Sequence, residues 1–286
     1  MNAQFWLIQS FNGISYGALL FLLASGLTLI FGVMRIVNLS HGAYFLLGGY
    51  LALSVISATG SWLLALPVAA LLVAMVGLVM ERVFLRPLGF DPLRQVLLTV
   101  GFAFLFQQAA LDIWGGDNLD ITPPGYLRGS TIIGGLHLPL YRFFMIGMAL
   151  ALGSILWLVM EKTRAGAMIR AAVDDSEMAR GVGIDTSRIS MIIFALGAFL
   201  AALGGVIGGA FLGVYPGLDF EILPIAFAVV IIGGMGSLGG AAVGSLMVGL
   251  ADNFGKALFP EVSYFTLYAP MVLILAIKPS GLFGRE

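Results

Sequence analysis

Side chains able to do chemistry are scarce in this chain of 286 residues, which has two histidines, His41 and His137, and no cysteine. Thiolate metal sites, disulfides and cysteine nucleophiles are therefore excluded. No His-Glu-x-x-His helix is present, and no nucleophile has a plausible base beside it. The Gly255-Lys256 pair is followed by Ala257 and lacks the upstream glycine of a phosphate-binding loop. The chain is expected to be non-catalytic, to bind no cofactor or metal of its own, and, with few basic residues, to bind no nucleic acid. Three polar patches remain. Arg35, Asn38, Ser40 and His41 interrupt an apolar run and are costly against lipid, so they face protein, water or headgroups. Asn38 or Ser40 would serve there as a helix cap, or the patch would line a pathway. Gly234, Gly236, Ser237 and Gly239, between Gly233 and Gly240, form either a tight turn or a set of free N–H donors at a half-helix start, suited to a carboxylate.

The third patch, Glu161 to Arg188, holds Lys162, Arg164, Arg170, Arg180 and Arg188, five of the fourteen Lys/Arg residues. Thr163 is placed to cap a short helix in which Ala165, Met168, Ile169, Ala172 and Val173 recur at helical spacing. Asp175 or Ser176 would cap a second helix, ended by Gly181 and Gly183. A solvated loop with pairs such as Arg170 and Asp174 is the plainer reading. Two short helices with apolar stripes fit better with being held by something else.

These patches are set in a chain that is 60% apolar and 10% charged. About a quarter of the residues of a soluble protein are charged, so the chain is an integral membrane protein. Spans of about 20 residues without ten-residue alternation predict helices rather than a barrel. The expected fold is all-α and polytopic, a single transmembrane domain over 1–286. A short lead-in covers 1–10, and spans follow at about 11–33, 42–57, 62–80, 95–114, 142–160, 189–213 and 263–277. The 222–252 stretch is broken by GGMGSLGG, giving about eight membrane segments with broken or re-entrant half-helices. Residues 33–42 read as a similar break, as in transporters built from inverted repeats. Between the spans, 115–141 reads as extended pieces or a small hairpin with turns at Pro123-Pro124-Gly125 and Gly134-Gly135. Basic residues favour the cytoplasm. Placing 81–94, 161–188 and 278–286 inside puts ten of fourteen Lys/Arg there, with 115–141 outside and the C-terminus cytoplasmic.

In the 161–188 patch, the order Gly166, Arg170-Ala171, Ala179, Gly183-Ile184 resembles the coupling loop of permeases of ATP-driven ABC importers. GLTLIFGVMRIVNLSHGAYFLLGGYLA at 26–52 and PIAFAVVIIGGMGSLGGAAVGSLMVGL at 224–250 resemble, more narrowly, the H-type permease subunit of branched-chain amino acid importers, over nearly the whole chain. The resemblance implies a multi-pass permease of the bacterial inner membrane. Its implied partners are membrane lipid, a second M-type permease, two ATPase subunits holding ATP and Mg, and a periplasmic or lipid-anchored binding protein. It also implies ATPase docking by Gly166, Arg170, Ala171, Ala179, Gly183 and Ile184. The substrate stays open among branched-chain amino acids, urea, short amides, aromatic compounds and sugars. A secondary transporter or channel is the competing class. Proton coupling would favour carboxylates within spans, and the chain has no Asp or Glu before Glu81.

Overall fold

A computed structural model describes residues 3–89 and 91–284. Among them are eleven α-helices and one short β-hairpin. The helices are α1 (Ala3–Met34), α2 (His41–Thr59), α3 (Trp62–Val79), α4 (Pro92–Trp114), α5 (Leu140–Lys162), α6 (Arg164–Asp174), α7 (Ser176–Gly181), α8 (Thr186–Leu212), α9 (Leu218–Gly233), α10 (Leu238–Leu258) and α11 (Ser263–Ile277). Six of them, α1 to α5 and α8, are long and apolar enough to cross a membrane. The separate lead-in expected over 1–10 is not seen: from Ala3 the chain is already the first turns of α1, since no proline or polar cluster stops it, while Met1 and Asn2 lie outside the described residues. Arg285, counted with the basic C-terminal end, also lies outside them.

The hairpin expected within 115–141 is present as β1 (Ser130–Ile133) and β2 (Leu136–Pro139), antiparallel, with Ile133 opposite Leu136. Its two-residue turn needs positive φ twice, and Gly134 and Gly135 supply 58° and 79°.

The bundle is built around α1, against which α8 and α10 pack, with α2 and α3 on the far side of α8. Glycines set these approaches. A Cβ at Gly17 would meet the backbone of Ser245 and Leu246, and one at Gly26 the backbone of Gly197. One at Gly205 would collide with the carbonyl of Phe45. Glycines four residues apart in α8 and α10, Gly205 with Gly209 and Gly240 with Gly244, are likewise in close contact with neighbouring segments.

Two features depart from simple crossing. After Met34 the chain turns back into the protein over residues 35–40, and α2 starts there rather than at the bundle's end. Its first residue, His41, is fully buried and hydrogen-bonded to Leu23 of α1. Leu23 lies eleven residues before the end of α1, about 16 Å at 1.5 Å per residue. The second departure is at 213–217, where the chain leaves α8 and begins α9 beside the start of α2: a Cβ at Gly42 would clash with the carbonyl of Asp219.

Candidate functional site

The inward turn begins with strain. Arg35 is the one non-glycine residue at positive φ, 54°, among the described residues. Its N–H donates to the carbonyl of Phe31 at 2.8 Å, closing α1. Asn38, Ser40 and His41 follow, none of them solvent-exposed. Asn38 Oδ1 accepts from the Ser40 N–H at 3.1 Å and from the Ser40 hydroxyl at 2.6 Å. This local bonding fixes the turn, and neither residue caps α2: Ser40 stands at the N-cap position without a side-chain cap bond. The N–H of Leu39 is taken by Thr99 Oγ1 of α4 at 3.2 Å, and Tyr44 Oη donates to Met80 Sδ at 2.8 Å. His41 Nε2 lies 3.0 Å from the carbonyl oxygen of Leu23. A carbonyl only accepts, so Nε2 carries the proton and Nδ1 is the free ring nitrogen. His41 Nδ1 and Asn38 Nδ2 are buried and make no hydrogen bond among the described residues. Buried polar groups are normally paired, so two unpaired ones at a buried helix start mark an unusual place.

Facing this start is Asp219, which on sequence alone falls in a short acidic loop from Tyr215 to Glu221. It is instead in the first turn of α9 and 2% exposed. Neither carboxylate oxygen has a side-chain partner among the described residues, and the nearest donors are the backbone N–H groups of its own helix turn. An acid in the first turn of a helix offsets the positive end of the helix dipole. The sequence offers one clue to its burial, the apolar run that starts at Ile222. Along the outer side of this meeting point runs an apolar groove of about 460 Å³, whose walls include Leu39, Val100, Phe220, Leu223, Phe227 and Met271.

The glycine-rich patch lies elsewhere. Gly234 and Gly236 have φ of 98° and 84° and make the turn from α9 to α10. Ser237 Oγ caps α10 by accepting the Gly240 N–H at 3.0 Å. Gly239 faces open space, and Gly236 packs near Gly32 of α1. The N–H groups of Leu282 and Phe283 bond the carbonyls of Ile232 and Gly233, both at 2.9 Å. The two patches are therefore not brought together. One lies level with Leu23 of α1 and the other with Gly32, about 13 Å apart along the helix axis.

In the third patch both expected caps form. Thr163 Oγ1 accepts from the Gly166 N–H at 3.2 Å, and Asp175 Oδ1 from Glu177 and Met178 at 2.9 and 3.0 Å. Gly183 closes α7 at φ 87°. Its N–H bonds the carbonyl of Arg180 at 3.0 Å while that of Ile184 reaches Ala179 at 2.9 Å, the paired bonds of a Schellman end. Gly166 and Ala179 are buried, Ala171 and Ile184 half-buried, and Gly183 exposed. A Cβ at Gly166 would clash with the carbonyls of Val159 and Met160, and the Arg170 guanidinium donates to that same Met160 carbonyl. These six residues thus build the pair and fix it to α5 and α8. The residues left pointing outward are others: Met168, Met178 and Val182 are 42%, 69% and 76% exposed.

The family model for the branched-chain amino acid transport system permease component matches residues 9–275. The chain is 30% identical over 306 residues to the high-affinity branched-chain amino acid transport system permease protein LivH of Escherichia coli (strain K12), covering 100% of this chain and 98% of that one. It is 28% identical to the corresponding permease protein BraD of Pseudomonas aeruginosa, over 98% and 96% of the two chains. A ribose import permease protein of Escherichia coli (strain K12), RbsC, is 26% identical over 96% of this chain and 86% of its own. No solved structure matches. The chain therefore belongs to the branched-chain amino acid transport permease family, as a non-catalytic, multi-pass membrane component of an ABC transporter.

Proposed function

We propose that the chain imports branched-chain amino acids, as one half of a translocation pathway formed with a second, M-type permease in the bacterial inner membrane. Two ATPase subunits would bind ATP and Mg and dock on α6–α7, and a periplasmic or lipid-anchored protein would deliver the substrate. The observation that carries the substrate reading is the buried start of α2. The unpaired Asn38 Nδ2 suits a carboxylate, and the adjoining groove lined by Leu39, Phe220 and Leu223 suits an aliphatic side chain. Asn38, Ser40 and His41 then belong to the pathway, with the starts of α2 and α9 meeting at depth. Backbone that leaves the helix there is tolerated where it lies inside protein or beside a cavity. The Gly234, Gly236, Ser237 and Gly239 turn acts as a gate hinge at the coupling end, beside Gly32. The 161–188 segment and the C-terminus are cytoplasmic and 115–141 is extracytoplasmic, which puts most Lys and Arg inside.

In this mechanism α6–α7 is a rigid lever. Closure of the ATPase dimer moves the capped pair, and the buried face carrying Ile169, Ala172 and Ala179 transmits that movement to the bundle. The test is uptake by proteoliposomes holding the complete complex and its binding protein, with leucine, urea and ribose offered separately. ATP-dependent leucine uptake is expected. Uptake of urea or ribose alone overturns the substrate, and uptake without the ATPases, driven by membrane potential, overturns the mechanism.

A further inference from the structure

Between the end of α1, the end of α3 and the α6–α7 pair lies a cavity of about 720 Å³. That falls within the ~300–1,000 Å³ usual for small-molecule sites. Its bundle wall is unusual in three ways. Residues Met80–Leu85 continue α3 as a π-helical turn, a form concentrated at functional sites. Glu81 in that turn is 2% exposed, and its Oε2 has no hydrogen-bond partner. Arg35, strained at φ 54°, and Arg86 also line the cavity, and neither is in a salt bridge among the described residues.

Of the charges on the opposite wall, Asp174 is partnered and Glu177 is exposed to solvent. Asp175 caps α7, and Arg180 Nε donates to Thr186 Oγ1 at 2.7 Å. Among the described residues, the groups left without a salt bridge or hydrogen-bond partner on the bundle wall are thus one buried carboxylate oxygen and two guanidiniums, beside apolar Val33 and Leu85 and across from Val173. A lone metal ion would leave the arginines unused, and a simple anion would leave Glu81 unpaired. A molecule carrying ammonium, carboxylate and an aliphatic group answers all of them.

We propose that this cavity binds a free α-amino acid, with its ammonium on Glu81, its carboxylate on Arg35 and Arg86, and its side chain against Val33 and Leu85. This rests on the importer reading above, in which the cavity opens to the cytoplasm. The site is then a product site: a released amino acid touches both the bundle and α6–α7 and holds them in the arrangement seen here. A ligand that binds this arrangement alone, at 100 times its Kd, favours it by about 100-fold. Accumulated product would slow the ATPase cycle.

The experiment measures radiolabelled leucine binding to the detergent-purified complete complex without its binding protein, and ATPase activity with and without leucine. Saturable binding is expected, at least about 10-fold weaker in Glu81→Gln and weakened in Arg86→Gln. Leucinamide, which lacks the carboxylate, and the 2-oxo acid of leucine, which lacks the ammonium, should not compete. Leucine should slow the wild-type ATPase and not that of Glu81→Gln. Absent binding, binding unchanged in both variants, or full competition by either analogue overturns the proposal. If Glu81→Gln fails to assemble, the analogue competitions on the wild-type complex decide. Proteoliposome uptake run in parallel separates the two readings: leucine uptake without Glu81-dependent binding overturns only this site, and Glu81-dependent binding without leucine uptake overturns only the transport assignment.

Discussion

Replacing Met178 and Val182 together by alanine tests whether α6–α7 is the face that meets the ATPase. Both side chains point away from the bundle, at 69% and 76% exposure, and neither belongs to the cores that fix the pair to α5 and α8. Fully burying a Met or Val side chain is worth about 1.5–3 kcal/mol. Alanine retains part of each, so the double replacement should remove about 2–3 kcal/mol of docking energy, which at 1.4 kcal/mol per decade is about 30- to about 150-fold in Kd. The bundle should not notice. Alanine is the best helix former, and the Asp175 cap and the Gly183 end are untouched. The assay is titration of the purified partner ATPases onto the permease pair in nanodiscs, with the melting temperature of the permease as control. Unchanged affinity with an unchanged melt would refute docking at this tip. A collapsed melt would refute the claim that these side chains are free of the bundle.

Two further outcomes follow from the same geometry. Gly205→Ala drives a methyl group into the Phe45 carbonyl and should cost about 1–3 kcal/mol or more, whereas Gly101→Ala, with nothing within 4 Å of the added carbon, should be neutral or slightly stabilising; thermal melts of the two variants check this. Because the chain has no cysteine, Met178→Cys and Ile132→Cys are each a unique label site. A membrane-impermeant maleimide on intact spheroplasts should label Ile132→Cys and leave Met178→Cys unlabelled until the membrane is opened, and the reverse pattern would invert the proposed orientation.

What was legible in the sequence was local. Thr163 and Asp175 stand three residues or fewer from the N–H groups they cap, so spacing alone finds them. Gly134-Gly135 announces a two-residue turn for the same reason. The polar break at 35–41 was legible as a break, because such residues cannot continue a lipid-facing helix. Its surroundings were not. That Leu23, Met80, Thr99 and Asp219 gather around it depends on helix registers that only packing decides. Glu81 and Asp219 read as loop acids because a sequence has no depth, and both are buried. The π-helical turn at Met80–Leu85 leaves no pattern in composition. The six residues whose order resembles a coupling loop build the framework of α6–α7, because small residues mark where backbone sits close, and outward-facing side chains are left to the positions between.

The glycine seam between α1 and α10 has a consequence for biosynthesis. Gly13 and Gly17 of α1 meet Leu250 and Ser245, some 230 residues later in the chain. At about 5–20 residues per second, the first helix leaves the ribosome about 10–50 s before its partner exists. During that interval its small-residue stripe faces lipid, other helices or the insertion machinery. A chain stopped before α10 would keep that stripe uncovered for good, which makes truncated products natural targets for membrane proteases and makes completion of the chain the step that commits the bundle.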